Sequence, residues 1–228
     1  MKNLDGVKSL GTRTNFDSNL KSLNDMLMEM AGLATAAVEA SVEALVSQNM
    51  EHAEKVIQSD KQIDDLELQI NEKAILLIAT ESPVATDLRA IISVLKISSE
   101  VERIADNAVN IAKSAMHIGS EKHIKEIEDI PKMKDLALEM LDCSLKSLLQ
   151  KDASLARKCA KIDDVVDEMY GRLVHELLEY IPANPGATNQ ITQMAFTCRY
   201  IERIGDHSTN IAEQVVYLVT GKQSELNS

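Results

Sequence analysis

Glu102-Arg103-Ile104-Ala105-Asp106-Asn107-Ala108-Val109-Asn110-Ile111-Ala112 returns, at an offset of 100, as Glu202-Arg203-Ile204-Gly205-Asp206-His207-Ser208-Thr209-Asn210-Ile211-Ala212. Seven of the eleven positions are identical. Both copies carry the seam of a long bundle helix. Ile97, Val101, Ile104, Ala108, Ile111 and Ala115 step by four and three, as do Thr197, Ile201, Ile204, Ser208, Ile211 and Val215. That period belongs to nearly parallel packed helices. No alternation of period two is long enough to compete.

Upstream the echo is weaker but keeps its order. Asp60 to Leu66 aligns with Asp163 to Met169, and Ser41 to Leu45 with Ser144 to Leu148, both at an offset of 103. A change of three residues between offsets fits one shortened loop. A period near 100 is too long for a solenoid and suits a duplicated bundle. The expected fold is all-α: two tandem three-helix bundles in line, six long helices in all. The first unit covers residues 1–118, a linker 119–130, and the second unit 131–228.

Punctuation places the helices near residues 17–47, 50–79, 87–117, 131–150, 153–180 and 188–220. Gln48-Asn49 and Thr80-Glu81-Ser82-Pro83 break the first half. Pro83 cannot donate a ladder hydrogen bond, and Thr86 or Asp87 is placed to cap the next helix. Lys151-Asp152 and Pro182-Ala183-Asn184-Pro185-Gly186 break the second half, and Gly221 follows the last helix. Pro131 suits a first helical turn.

Composition narrows the function. The chain has 228 residues and a net charge of -12, with no Trp, two Phe and four Tyr. A nucleic-acid partner calls for a basic face and stacking aromatics, and neither is visible. Anionic lipid would repel such a surface on average, so direct membrane insertion is not expected. The first residues are polar, with no signal-peptide pattern, and no run of about 18 uninterrupted apolar residues occurs. Cys143, Cys159 and Cys198 are odd in number and lack a CxxC, which reads as three reduced thiols in a cytoplasmic protein.

The acidic residues form stripes. Glu102 and Asp106 lie one turn apart on one helix face, extended by Asn110, and Glu202, Asp206 and Asn210 repeat the pattern. Asp60 with Asp64, and Asp163 with Asp167, share the spacing on the second helices. If helices two and three of a half lie side by side, four carboxylates converge and repel. A cation would relieve that repulsion. All-oxygen ligands favour Mg²⁺, Mn²⁺, Ca²⁺ or iron, and spacing does not choose among them. Against this stands the ordinary fate of helix acids, which is solvation, with Arg103 and Arg203 available as neutralising neighbours. His207 sits beside Asp206 and is a further candidate ligand; its counterpart is Asn107. His52, His117, His123 and His175 read as surface or half-buried histidines, and Tyr170 and Tyr180 as packing residues.

Enzyme signatures are missing from the sequence. No histidine follows Glu at a Glu-x-x-His spacing, and there is no phosphate loop, GxGxxG or GxSxG. Three readings remain at this point: a binding adaptor, a carboxylate-cluster metalloenzyme, and a purely structural helical module without metal.

The two repeats, with Pro83-Val84-Ala85-Thr86-Asp87-Leu88-Arg89 before the third helix, resemble the PhoU family of phosphate-uptake regulators, whose signature is a duplicated E(D)xxxD. The first copy departs from the family pattern at Ala105 and Asn107, where Gly and His are usual. The resemblance spans about Phe16 to Gly221. It implies paired three-helix bundles with multinuclear iron or zinc clusters on Asp60, Asp64, Glu102 and Asp106 and on Asp163, Asp167, Glu202 and Asp206, assisted by Asn110 and Asn210. It also implies a non-enzymatic, cytoplasmic negative regulator of phosphate uptake and the phosphate-starvation response. Its expected partners are the ATPase of a phosphate ABC transporter and a sensor histidine kinase, and homodimerisation is expected.

Overall fold

The structure is a computed structural model describing residues 4–120, 122–124 and 127–226, with side chains from residue 15 onward. Among the described residues there is no strand. The first half is α1 (Leu4–Ser47), α2 (Met50–Glu81) and α3 (Thr86–Ile118). The second is α4 (Asp129–Gln150), α5 (Ala153–Cys159), α6 (Asp163–Glu179) and α7 (Thr188–Thr220).

Local chemistry sets most of the breaks. The Asn49 side chain accepts the His52 amide at 3.0 Å and starts α2. Ser82 turns left-handed at the end of α2, and Pro83 then forbids continuation. Asp152 accepts the Ser154 and Leu155 amides to open α5. Gly221 closes α7 at φ 72°. Two expectations need correction. α3 begins after Ala85 with no side-chain cap, so neither Thr86 nor Asp87 plays that part. The helix expected over 153–180 is interrupted by a 3-10 turn at Ala160–Ile162. No Pro or Gly marks that turn. It follows directly on Cys159, which is joined to Cys143 of α4 in a disulfide.

That bond also corrects the reading of three reduced thiols. The residues stand 16 apart in sequence, on two consecutive helices that fold back on each other and bring their Cα atoms to 5.7 Å. Cys198 stays outside the disulfide and is buried.

In the first half α3 packs on α1 and α2, and in the second α7 packs on α4, α5 and α6. The halves meet along α3 and α7. These run antiparallel, since Arg89 stacks over Tyr217 while Asn189 donates to the His117 carbonyl. One apolar cluster runs through both halves, from Leu23, Leu27 and Ile63 to Met133, Ile204 and Ile211. The linker is tied down as well. Gln190 accepts the Ile124 amide at 2.7 Å, and His123 Nε2 lies 3.0 Å from the Leu45 carbonyl oxygen. Asn15–Ser47 of α1 is long and apolar enough, by length and composition, to cross a membrane; half of its apolar 18-residue stretch is buried in the bundle. Its apolar side supplies Leu23, Leu27, Met30, Ala34 and Val38 to the core.

Candidate metal centres

In each half a second helix lies against a third, and the two acidic stripes face one another across that contact. In the first half burial, then the charges of Asp64 and Asp106, push the Asp60 carboxyl up to about 6, with Lys113 opposing. Burial, then Asp106, Glu67, Asp64 and Asp60, push Glu102 up to about 7. Asp60, Asp64, Glu102 and Asp106 are therefore brought within mutual electrostatic range. Glu67 belongs with them. It follows Asp64 by three residues on the same face of α2, outside the i,i+4 spacing that marks the other acids in the sequence. Asn110 lies half-buried one turn beyond Asp106.

In the second half burial, then Asp206, raise Glu202 to about 7; Arg199 opposes them, and Asp167 and Asp163 add to the rise. Partial burial, then Asp206 and Asp164, raise Asp167, again against Arg199. Asp163, Asp167, Glu202 and Asp206 thus gather as their counterparts do. The neutralising arginine is Arg199, itself exposed, which ion-pairs with Glu202 Oε1. Arg199 sits three residues before Glu202, an ordinary helical pairing distance. The corresponding first-half residue is Ser99.

The second group is the more enclosed. Asp163 is 3% exposed and Glu202 8%, while Asp60 and Glu102 are half-buried. Gly205 accounts for part of this. A Cβ there would lie 3.0 Å from Asp163 Oδ1 and 3.6 Å from Val166 Cγ1, so the missing side chain lets α6 approach closely. Its counterpart Ala105 has that methyl group.

His207 and Asn210 face elsewhere. His207 Nδ1 is 2.7 Å from Glu100 Oε2, and Asn210 donates to the same oxygen at 3.1 Å. Burial acts to raise Glu100, but hydrogen bonds from His207 and Asn210, and the charges of His207 and Arg103, outweigh it and hold the carboxyl below its usual range. The cluster bolts α3 to α7 across the halves. Glu100 carried no signal in the sequence, because only the α3–α7 packing gives it a partner.

The donor set fits a hard or borderline cation in kind. Carboxylates with raised pKa values gather in both halves, and the second oxygen of Glu202 is buried without a hydrogen-bond donor. Among the described residues, no three His, Cys, Asp or Glu side chains are grouped tightly enough to hold an ion as they stand. Loading would therefore need side-chain closure around the ion.

Comparison with known proteins agrees with the duplicated architecture. The family model described as PhoU domain matches twice, at residues 27–115 and 130–215. A phosphate-specific transport system accessory protein PhoU homolog of Clostridium acetobutylicum is 39% identical over 217 residues, covering 95% of this chain and 99% of that protein. The homolog of Rhizobium meliloti is 38% identical over 211 residues, 92% of this chain and 89% of its own. The crystal structure of PhoU from Pseudomonas aeruginosa superposes with a TM-score of 0.86 at 33% identity, covering 91% of this chain and all of that one. That of the phosphate transport system regulatory protein PhoU from Streptococcus pneumoniae gives 0.86 at 28% identity, covering 92% of this chain and 99% of that one. A match in both halves, and relatives this similar along nearly their whole length, make this chain a member of the PhoU family.

Proposed function

We propose that this chain is a cytoplasmic negative regulator of phosphate uptake and of the phosphate-starvation response. It works as a metal-binding helical adaptor between the ATPase of a phosphate ABC transporter and a sensor histidine kinase, and homodimerisation belongs to the same proposal. The observation that carries the metal-binding part is the pair of duplicated carboxylate groups, each partly buried and self-repelling enough to bring a glutamate to about 7. Keeping such groups costs stability unless a cation compensates them. Asp60, Asp64, Glu102 and Asp106 would hold one set of ions, and Asp163, Asp167, Glu202 and Asp206 the other. Iron or zinc is favoured by the family likeness, and Mg²⁺, Mn²⁺ or Ca²⁺ by the all-oxygen ligands. Bound metal would fix the spacing of α2 against α3 and of α6 against α7, and hence the shape of the docking faces.

Binding is favoured over catalysis because Asp64, Asp106 and Asp167 stand on open surface, where water is not excluded. The regulatory role is supported by the names of the relatives, which are accessory proteins of the phosphate-specific transport system. The test is phosphate-dependent binding to the transporter ATPase and to the sensor kinase. It compares wild type with a variant carrying Ala at Glu102, Asp106, Glu202 and Asp206. Loss of metal and of partner binding with helicity intact is expected. Unchanged partner binding would remove metal from the mechanism.

A further inference from the structure

The outer face of α2 carries an apolar stripe that the bundle does not use. Leu68 is 57% exposed, and Ile75 and Leu76 are each 63% exposed. Positions 68, 75 and 76 lie on one side of the helix over two turns. The buried stripe of α2 is the opposite one, with Ile63, Leu66, Ile70, Ala74 and Leu77.

The internal duplication acts as a control. At the offset of 103 that aligns Asp60 with Asp163, the three positions become Gly171, Leu178 and Glu179. The second bundle forms the same helix pair with the corresponding stripe largely dismantled, so the fold does not require it. Leu178 is also exposed, at 49%, but Leu68 and Leu76 have no apolar counterpart, and large exposed side chains kept in one copy only point to a surface that something covers.

The rim says what kind of partner fits. Asp64, Asp65 and Glu72 are exposed along the stripe, against one exposed lysine, Lys61, two turns before Leu68. Lys73 is turned inward, donating to Ser22 Oγ at 2.5 Å. An apolar centre with an acidic border suits an apolar stripe bordered by Lys or Arg. It disfavours a second copy of this chain, whose own α2 would set acid against acid. We propose that this face of α2 docks an amphipathic helix of a partner protein, seating its apolar side on Leu68, Ile75 and Leu76 and its basic flanks on Asp65 and Glu72. The inference rests on the adaptor reading and assigns it a surface beside the first carboxylate group.

The probe is a synthetic 18-residue amphipathic helix of Leu and Lys, titrated against the full chain by fluorescence anisotropy, with a Leu and Glu helix of the same pattern as control. The variants are Ile75→Gln with Leu76→Gln, Asp65→Asn with Glu72→Gln, and Leu178→Gln on the other half. All are exposed positions, so helicity should survive, which circular dichroism checks. The basic helix should bind and the acidic one should not. The double Gln variant should lose about tenfold in affinity, as for removal of an interface centre. The rim variant should lose several-fold with a weaker salt dependence, and Leu178→Gln should lose nothing. No binding of the basic helix would overturn the proposal, and so would equal binding by the double Gln variant, which would mean diffuse attraction to an acidic protein. Self-association of the wild type abolished by the double Gln change would overturn it in favour of a second copy. The probe involves neither transporter nor kinase, so failure here leaves the adaptor reading to its own test.

Discussion

Metal binding to this chain should release protons in a pH-dependent amount set by its displaced carboxyls. Glu102 and Glu202 titrate at about 7 and Asp60 at about 6 in the folded protein. At pH 6 the two glutamates are each ~0.9 protonated and Asp60 ~0.5, so saturation with Mn²⁺ should expel about two protons. At pH 7 the figure falls to about one, and at pH 8 to roughly 0.2. Apparent affinity should therefore rise from pH 6 to pH 8. Calorimetric titration in buffers of different ionisation enthalpy measures the proton count directly. Replacing Glu102 and Glu202 by Gln should cut the release at pH 6 to about half a proton. The same shifts bear on the metal-free fold. Carboxyls raised on folding hold extra protons in the native state, so their stability contribution is complete below their ordinary pKa of 4.5 and is lost as pH rises through about 7. Bound metal should flatten that loss. A proton release near zero at pH 6, or one that grows with pH, would refute the reasoning.

Glu100→Gln should lower stability by about 1–3 kcal/mol, because a part-buried charge-assisted pair with His207 is replaced by a weaker contact; urea denaturation reads it. Cys143→Ser should cost about 3 kcal/mol on chain-entropy grounds for a 16-residue closure, and thermal melting with and without reductant should show the wild type alone responding. Gly205→Ala should leave the melting temperature nearly unchanged. A helix-propensity gain of about 1 kcal/mol is offset by crowding of Asp163 Oδ1. Metal affinity should fall in the second half only, read in a background where the first-half acids are Ala.

Periodicity made the helices legible, and caps made most of their ends so. Asn49, Asp152 and Gly221 act as their residue types suggest, because capping is decided within a few residues of chain. The same locality made the four acidic pairs visible, since i,i+4 carboxylates share a face whatever surrounds them. What stayed hidden depends on packing between distant segments. Glu100 meets His207 only because α3 lies antiparallel to α7. Cys143 meets Cys159 only because α5 folds back along α4. Arg199 and Arg203 were both within local reach of Glu202, and which of two exposed arginines pairs with it is settled only in the folded helix. Part of the greater enclosure of the second acidic group traces to a methyl group present at Ala105 and missing at Gly205, whose effect depends on the closeness of α6.

Elemental analysis of the chain, purified without chelator or affinity-tag metal, bears most directly on the role assigned to the acidic stripes. It should be run beside the variant with Ala at Glu102, Asp106, Glu202 and Asp206. Several metal equivalents in the wild type, lost in the helical variant, is the expected result. No metal in either protein, with binding to the transporter ATPase and sensor kinase intact, would contradict it and leave the stripes as solvated faces.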